Sequence, residues 1–350
     1  MSVYYSEYLA LDKIINAQHP ISFKEGNEPA HDEMLFIVIH QAYELWFKQI
    51  LFEVNSVTEI MGKDTIDDNS AELQTVVHRL QRVATILKVL VQQIDIMETM
   101  TPLDFLDFRD MLRPASGFQS YQFKILEAKL GLKFEHRHGQ CYYTSQLQQK
   151  DIDIIKEAEA GNTVLELLNR WLERMPFFED ENYWKNYISI SKKYENGTNV
   201  NHSAFWNDYE NIYADNLSEA EKINVDHFKN ILFDAQKSER SLSSAACKSA
   251  LFIMIYRGYP MLELPFQLLD TLLEIDNQLG NWRYRHMNMV RRMIGTRIGT
   301  GGSTGAGYLQ GAIDKHNIFK EISQLSSFLI DRRKLPKLPK EITDKLGYQA

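Results

Sequence analysis

Residues 265–294, PFQLLDTLLEIDNQLGNWRYRHMNMVRRMI, decide the fold. Leu268, Leu272, Ile275, Leu279, Trp282, His286, Met289 and Met293 recur at alternating steps of four and three, the spacing of a buried helix seam. The pattern predicts one long helix from Pro265 to Ile294. Upstream, the stretch from Lys63 to Thr101 holds neither Gly nor Pro, and Leu73, Val76, Val77, Leu80, Val83, Leu87, Leu90, Val91 and Ile94 follow the same steps. That run predicts a helix of about 30 residues, roughly 45 Å long. A helix starting near Pro29 places Phe36, His40, Tyr43 and Phe47 on one face. Thr101-Pro102-Leu103-Asp104 reads as another start, with Thr as N-cap, Pro at the first position and an acid in the first turn; this helix should run to about Leu112. Ser218-Glu219-Ala220-Glu221 is a capping box expected to open a helix through about Gln236. Sustained period-two alternation is missing. The fold expected is all-α: a large helical bundle forming a single domain over 1–350. The polar stretches near 130–147 and 195–216 read as loop or as a small accessory insertion within about 130–235.

Composition narrows the function. The 350 residues carry 39 Lys plus Arg against 47 Asp plus Glu, a formal charge of −8, which argues against a nucleic-acid partner or an anionic membrane surface. Only 9 Pro and 17 Gly are present, which favours long uninterrupted elements. The two cysteines, Cys141 and Cys247, cannot build a disulfide framework, a CxxC zinc site, an iron–sulfur cluster or a covalent haem attachment. MSVYYSEYLALDKII carries Glu7 and Asp12 where a signal peptide would be apolar. The longest apolar runs, Met34–Ile39 and Ala250–Tyr256, fall short of the ~20 residues of a membrane span. A cytoplasmic protein is expected.

Three places carry the marks of chemistry. His286 occupies a seam position where Leu or Met is usual, and an unpaired imidazole there would cost about 1–3 kcal/mol. It reads either as a core histidine bonded to a carbonyl or carboxylate, or as an axial ligand to haem iron facing an apolar cavity. Arg283, Arg285, Arg291, Arg292 and Arg297 surround it, and could neutralise haem propionates, bind phosphate or form a solvated face. Next comes GTRIGTGGSTGAGYLQG, 295–311, which holds seven of the 17 glycines. It lacks GK[ST] and does not fit GxGxxG, so it reads as a flexible loop or as a mobile lid closing Thr300 over a small ligand. The third is a pair of helix faces, Phe36 with His40 and Phe105 with Arg109. An arginine on an apolar face needs an anion, either a protein acid such as Glu33 or Asp110 or a ligand carboxylate matching its planar fork. His136-x-His138 lacks a third ligand at useful spacing and reads as a surface pair.

Together these segments resemble the haem-dependent tryptophan 2,3-dioxygenase family. The resemblance rests on HDEMLFIVIHQAYELWFKQILFE (His31–Glu53), LDFLDFRDMLRPASGFQS (Leu103–Ser120) and NQLGNWRYRHMNMVRRMIGTRIGTGGSTGAGYLQ (Asn277–Gln310), in that order. A weaker likeness at YYSEYLALDKII extends it to the N-terminus, while the middle from about Gln146 to Ala235 matches less well. The resemblance implies an all-helical homotetramer with one haem b per subunit, ferrous when active, converting L-tryptophan and O2 to N-formyl-L-kynurenine. It implies that His286 is the axial iron ligand, that Ser116 and Gly117 lie against the haem, and that His40 faces the indole N–H. Phe36 would wall the indole, Phe105 would pack beside it at a position that is Tyr in some members and Phe in others, Arg109 would clamp the carboxylate, and Thr300 would contact the amino-acid head group. Tyr5, Tyr8 and Leu9 would reach into a neighbouring subunit's pocket. Two alternatives stay open at this point, an oxygenase of the same superfamily acting on another indole, and a non-catalytic helical haem sensor or carrier.

Overall fold

The computed structural model describes residues 3–64, 66, 71–139, 144–190, 202–234, 240–300 and 305–347. Among these no residue lies in a strand, and the expected all-α class is what the chain adopts. In chain order the helices are α1 (Tyr5–Tyr8), α2 (Leu11–Ile15), α3 (Asp32–Met61), α4 (Ala71–Met97), α5 (Pro102–Arg109), α6 (Tyr121–Leu130), α7 (Gln149–Ala160), α8 (Val164–Glu173), α9 (Pro176–Glu179), α10 (His202–Asn216), α11 (Ile223–Leu232), α12 (Ser244–Tyr256), α13 (Pro260–Ile294), α14 (Gly305–Lys315), α15 (Lys320–Leu325) and α16 (Lys340–Leu346). No helix among the described residues is long and apolar enough to cross a membrane.

The chain forms two compact units, 1–53 with 83–161 and 277–317, and 54–82 with 162–276 and 318–350. The long helices α3, α4 and α13 each contribute residues to both. In the first unit Ile39, Met97, Met100, Phe108 and Met293 form a buried cluster, with Phe36, Tyr43, Phe105 and Met289 packed against it. That cluster draws on α3, α4, α5 and α13, the helices whose apolar faces the sequence announces. The Thr101 start is realised in full. The Thr101 hydroxyl accepts from the Asp104 N–H at 3.3 Å and the Asp104 carboxylate accepts from the Thr101 N–H at 2.8 Å. α5 then tightens into a 3-10 turn over Asp110–Leu112. α6 opens on Ser120, whose hydroxyl accepts from the Phe123 N–H, and closes on Gly131 at φ +132°, a conformation that only glycine adopts without strain.

The second unit is built on aromatic packing, with Trp184, Phe205, Trp206, Tyr209, Phe228, Phe252 and Phe328 fully buried. Three expectations are corrected there. The stretch 202–216, read as irregular because it is polar, is helix α10. Its buried Phe205, Trp206, Tyr209 and Tyr213 recur on one face between Asn, Asp and Glu residues that mask the period. α13 begins at Pro260, earlier than the expected Pro265, which sits inside the helix near its start and forfeits one backbone bond there. The Ser218 box caps a 3-10 turn, Glu219–Glu221, with the Glu221 carboxylate accepting from the Ser218 N–H at 3.0 Å, and the α-helix that follows ends at Leu232.

Candidate active site

A cavity of about 270 Å³ lies in the first unit, and every residue that lines it belongs to that unit. α3 presents Phe36, His40 and Tyr43, α5 presents Phe105 and Arg109, and α13 presents Trp282, His286 and Met289. Ser116 and Gly117 line it from the turn before α6, and Thr300 from the segment after α13. The helical periods explain the convergence: the seam of α13 and the Phe36–His40 face of α3 both turn inward, and the cavity opens where imidazoles stand in place of aliphatic packing.

His40 is held by its own helix. Its Nδ1 lies 2.7 Å from the Phe36 carbonyl oxygen, which can only accept, so Nδ1 carries the proton and Nε2 keeps a lone pair. Burial pulls its pKa below the ordinary value, against the opposing pull of the Phe36 carbonyl and Glu44. Its ring sits 4.2 Å from that of Phe36. Phe36, Phe105 and Phe108 form a box with centroids 5.4–5.7 Å apart, two contacts edge-on and one stacked.

His286 is enclosed, and the surface it retains faces the cavity. Burial, reinforced by His40, pushes its pKa down to about 4, so the ring is neutral at physiological pH. Its Nδ1 is buried without a hydrogen-bond partner among the described residues, which leaves Nε2 as the nitrogen available to whatever fills the cavity.

Arg109 is 5% exposed. One of its NH2 groups donates to the Ile298 carbonyl, the other lies 3.9 Å from the exposed Asp110 carboxylate, and Nε is buried with no partner among the described residues. Glu33, the other acid weighed for it, instead accepts from the Ile21 and Ser22 N–H groups at 2.7 and 2.8 Å. The guanidinium therefore borders the cavity with its charge poorly compensated. Gly295, at φ +58°, ends α13 by bonding back to Arg291 and releases the chain toward Ile298 and Thr300. Of the glycine-rich stretch, Gly301, Gly302, Ser303 and Thr304 lie outside the described residues.

Tyr5, Tyr8 and Leu9 are 75%, 76% and 36% exposed and do not line the cavity of their own chain. The five arginines divide. Arg283 is buried against Glu127, with 2.7 Å between guanidinium and carboxylate, Arg285 pairs with Asp95 and Glu98, and Arg291, Arg292 and Arg297 are exposed. One solvated face is thus the wrong description of Arg283. It joins a buried cluster that residue patterns did not reveal, in which Glu127 also binds Arg137 at 2.7 Å and His316 at 3.5 Å. Burial would raise the Glu127 carboxyl, but Arg283, His316 and Arg137 hold it well below the usual carboxylate range. His136 is exposed as expected. His138 is half-buried, its backbone N–H donating to His316 at 3.0 Å, and a Cβ at Gly311 would collide with its ring.

Fold and cavity together define an all-helical protein with an aromatic-walled chamber that sets a neutral imidazole on one helix and a buried guanidinium on another. The chain belongs to the tryptophan 2,3-dioxygenase family, whose family model matches residues 1–329. The tryptophan 2,3-dioxygenase of Bdellovibrio bacteriovorus is 41% identical over 359 residues, covering 99% of this chain and 98% of its own. That of Alteromonas mediterranea is 43% identical (99% and 97% covered), and that of Anopheles gambiae 42% (98% and 89%). The family and the tryptophan 2,3-dioxygenase function expected from the sequence both stand on these likenesses.

The family is haem-dependent, and the residues present suit that group. No set of three His, Cys, Asp or Glu among the described residues could hold a bare metal ion, whereas a porphyrin brings four nitrogens of its own and asks for a single imidazole. His286 offers one, neutral and on the wall. Trp282, Phe36 and Phe105 add the apolar walls that a flat macrocycle needs.

Proposed function

We propose that this chain inserts both atoms of O2 across the C2–C3 bond of the L-tryptophan indole, giving N-formyl-L-kynurenine, with haem b held through His286. The observation that carries the substrate is Arg109: a buried, under-compensated guanidinium in the same aromatic chamber as a histidine whose Nε2 can accept a hydrogen bond. A carboxylate at one end and a ring N–H at the other describe tryptophan better than they describe haem alone.

Haem, when bound, supplies the dioxygen activation and the redox chemistry. The chain supplies the rest. Arg109 anchors the substrate carboxylate through charge-assisted hydrogen bonds, and Thr300 contacts the amino-acid head group. Phe36 and Phe105 wall the indole and exclude water, while Ser116 and Gly117 border the cofactor. The Nε2 of His40 accepts from the indole N–H and orients the ring; indole N–H is so weakly acidic that orientation, more than proton abstraction, is its role. Holding the reacting carbons in place is worth several kcal/mol of barrier.

The reading includes a homotetramer, in the cytoplasm, whose N-terminal segments serve neighbouring pockets. Tyr5, Tyr8 and Leu9 are exposed, as residues awaiting a second subunit would be. Two helices also leave apolar residues exposed seven apart, Val38, Leu45 and Phe52 on α3 and Val89 and Ile96 on α4, the repeat that packs helix against helix. Mixing reduced holoprotein with L-tryptophan and air tests the activity. The near-ultraviolet absorbance of N-formylkynurenine should rise with turnover; haem-loaded protein that never produces it would be a carrier or sensor.

A further inference from the structure

A histidine that binds a metal is usually steered through its other nitrogen, whose N–H donates to a carboxylate or carbonyl that fixes the ring plane and raises its basicity. His286 departs from that arrangement, since its Nδ1 is buried and no acceptor among the described residues meets it. What meets the ring is the face of Trp282, one turn earlier on α13, with centroids 5.0 Å apart and planes 9° from parallel. The indole is itself clamped. Phe123 of α6 packs against it at 4.9 Å, and Tyr43 of α3 meets it edge-on at 6.1 Å. The Tyr43 hydroxyl donates to the Leu90 carbonyl at 3.0 Å, and Phe47 bridges Tyr43 and Phe123 at 6.1 and 5.4 Å. Three aromatic rings from two helices thus pack around Trp282, and Trp282 in turn lies face to face with His286.

We propose that Trp282 is the positioning residue for His286: the stacked indole, in place of a protein carboxylate or carbonyl on Nδ1, fixes the imidazole plane and leaves the ligand a neutral imidazole with no imidazolate character. The proposal rests on the reading of His286 as the iron ligand. Its consequence is electronic as well as steric. Without a carboxylate to draw on its N–H, the ring donates less charge, which favours the reduced state in which the enzyme works.

The test compares ferrous holoprotein of wild type, Trp282→Phe and Trp282→Leu by the iron–histidine stretching band in resonance Raman spectra and by haem transfer to excess apomyoglobin. Wild type should show a band in the range of a histidine with no carboxylate partner. Trp282→Phe keeps a ring face and should keep the band position, whereas Trp282→Leu should broaden and shift the band and speed haem loss by about 10–100-fold. Should the Leu variant not fold, Trp282→Met, closer in volume, takes its place. A Leu or Met variant with band and transfer rate unchanged, or a wild-type band in the carboxylate-bonded range, overturns the proposal. A wild-type protein with no band lost on His286→Ala overturns the ligand assignment instead.

Discussion

A guanidinium is expensive to bury without a partner, and Arg109 is buried beside a carbonyl and one distant, exposed acid. A substrate carboxylate would complete its coordination, so Arg109→Leu should lower kcat/KM for tryptophan by about 10²–10³, the equivalent of a buried charge-pair partner lost, while haem content stays at the wild-type level. Steady-state kinetics beside a haem assay separates the two; unchanged kcat/KM would place the anchor elsewhere. Arginine was legible as an anomaly on an apolar face, and so was His286 in its seam. His40 makes a different demand. If it orients the indole through one hydrogen bond, His40→Ala should retain haem and lose only about 10–100-fold in kcat/KM. A loss of about 10⁴ would mark it as a general base. Glu127 with Arg137 and His316 was not legible, because its members come from separate stretches and no local spacing links them. Arg283 was visible only as one of five arginines, and sequence does not say which of five points inward.

Helices whose signals are local were the readable ones. Thr101, Pro102 and Asp104 lie within four residues, and the capping bonds they imply are the bonds that form. Thr101→Ala should destabilise the protein by about 1 kcal/mol in urea unfolding with kcat nearly unchanged, since Arg109 sits at the far end of α5. Unaltered stability would show that packing of α5 alone suffices. α10 escaped notice for the opposite reason: its burial is aromatic and asymmetric, and its polar positions lower the mean hydropathy below what a periodic reading detects. Pro265 misplaced the start of α13 because proline favours the first turn, although one lost backbone bond is tolerated in a helix anchored over so many turns.

At the scale of the molecule, the exposure of Tyr5, Tyr8 and Leu9 and of the seven-residue stripes on α3 and α4 is what a multi-subunit enzyme with shared pockets would show. Chains lacking residues 1–15 and chains carrying Arg109→Leu should each be inactive or nearly so, yet subunits mixed and reassembled should regain activity, because an intact pocket can then receive an intact N-terminal segment from its neighbour. Mixtures no more active than their parts would confine the N-terminus to a structural role. The account as a whole depends on His286 holding iron. The most direct measurement is the absorption spectrum of purified protein, ferric and ferrous, with and without L-tryptophan, for wild type and His286→Ala. Wild type should carry haem with a spectrum that tryptophan perturbs, and His286→Ala should lose stable haem; a variant with wild-type haem content and spectrum would contradict the assignment.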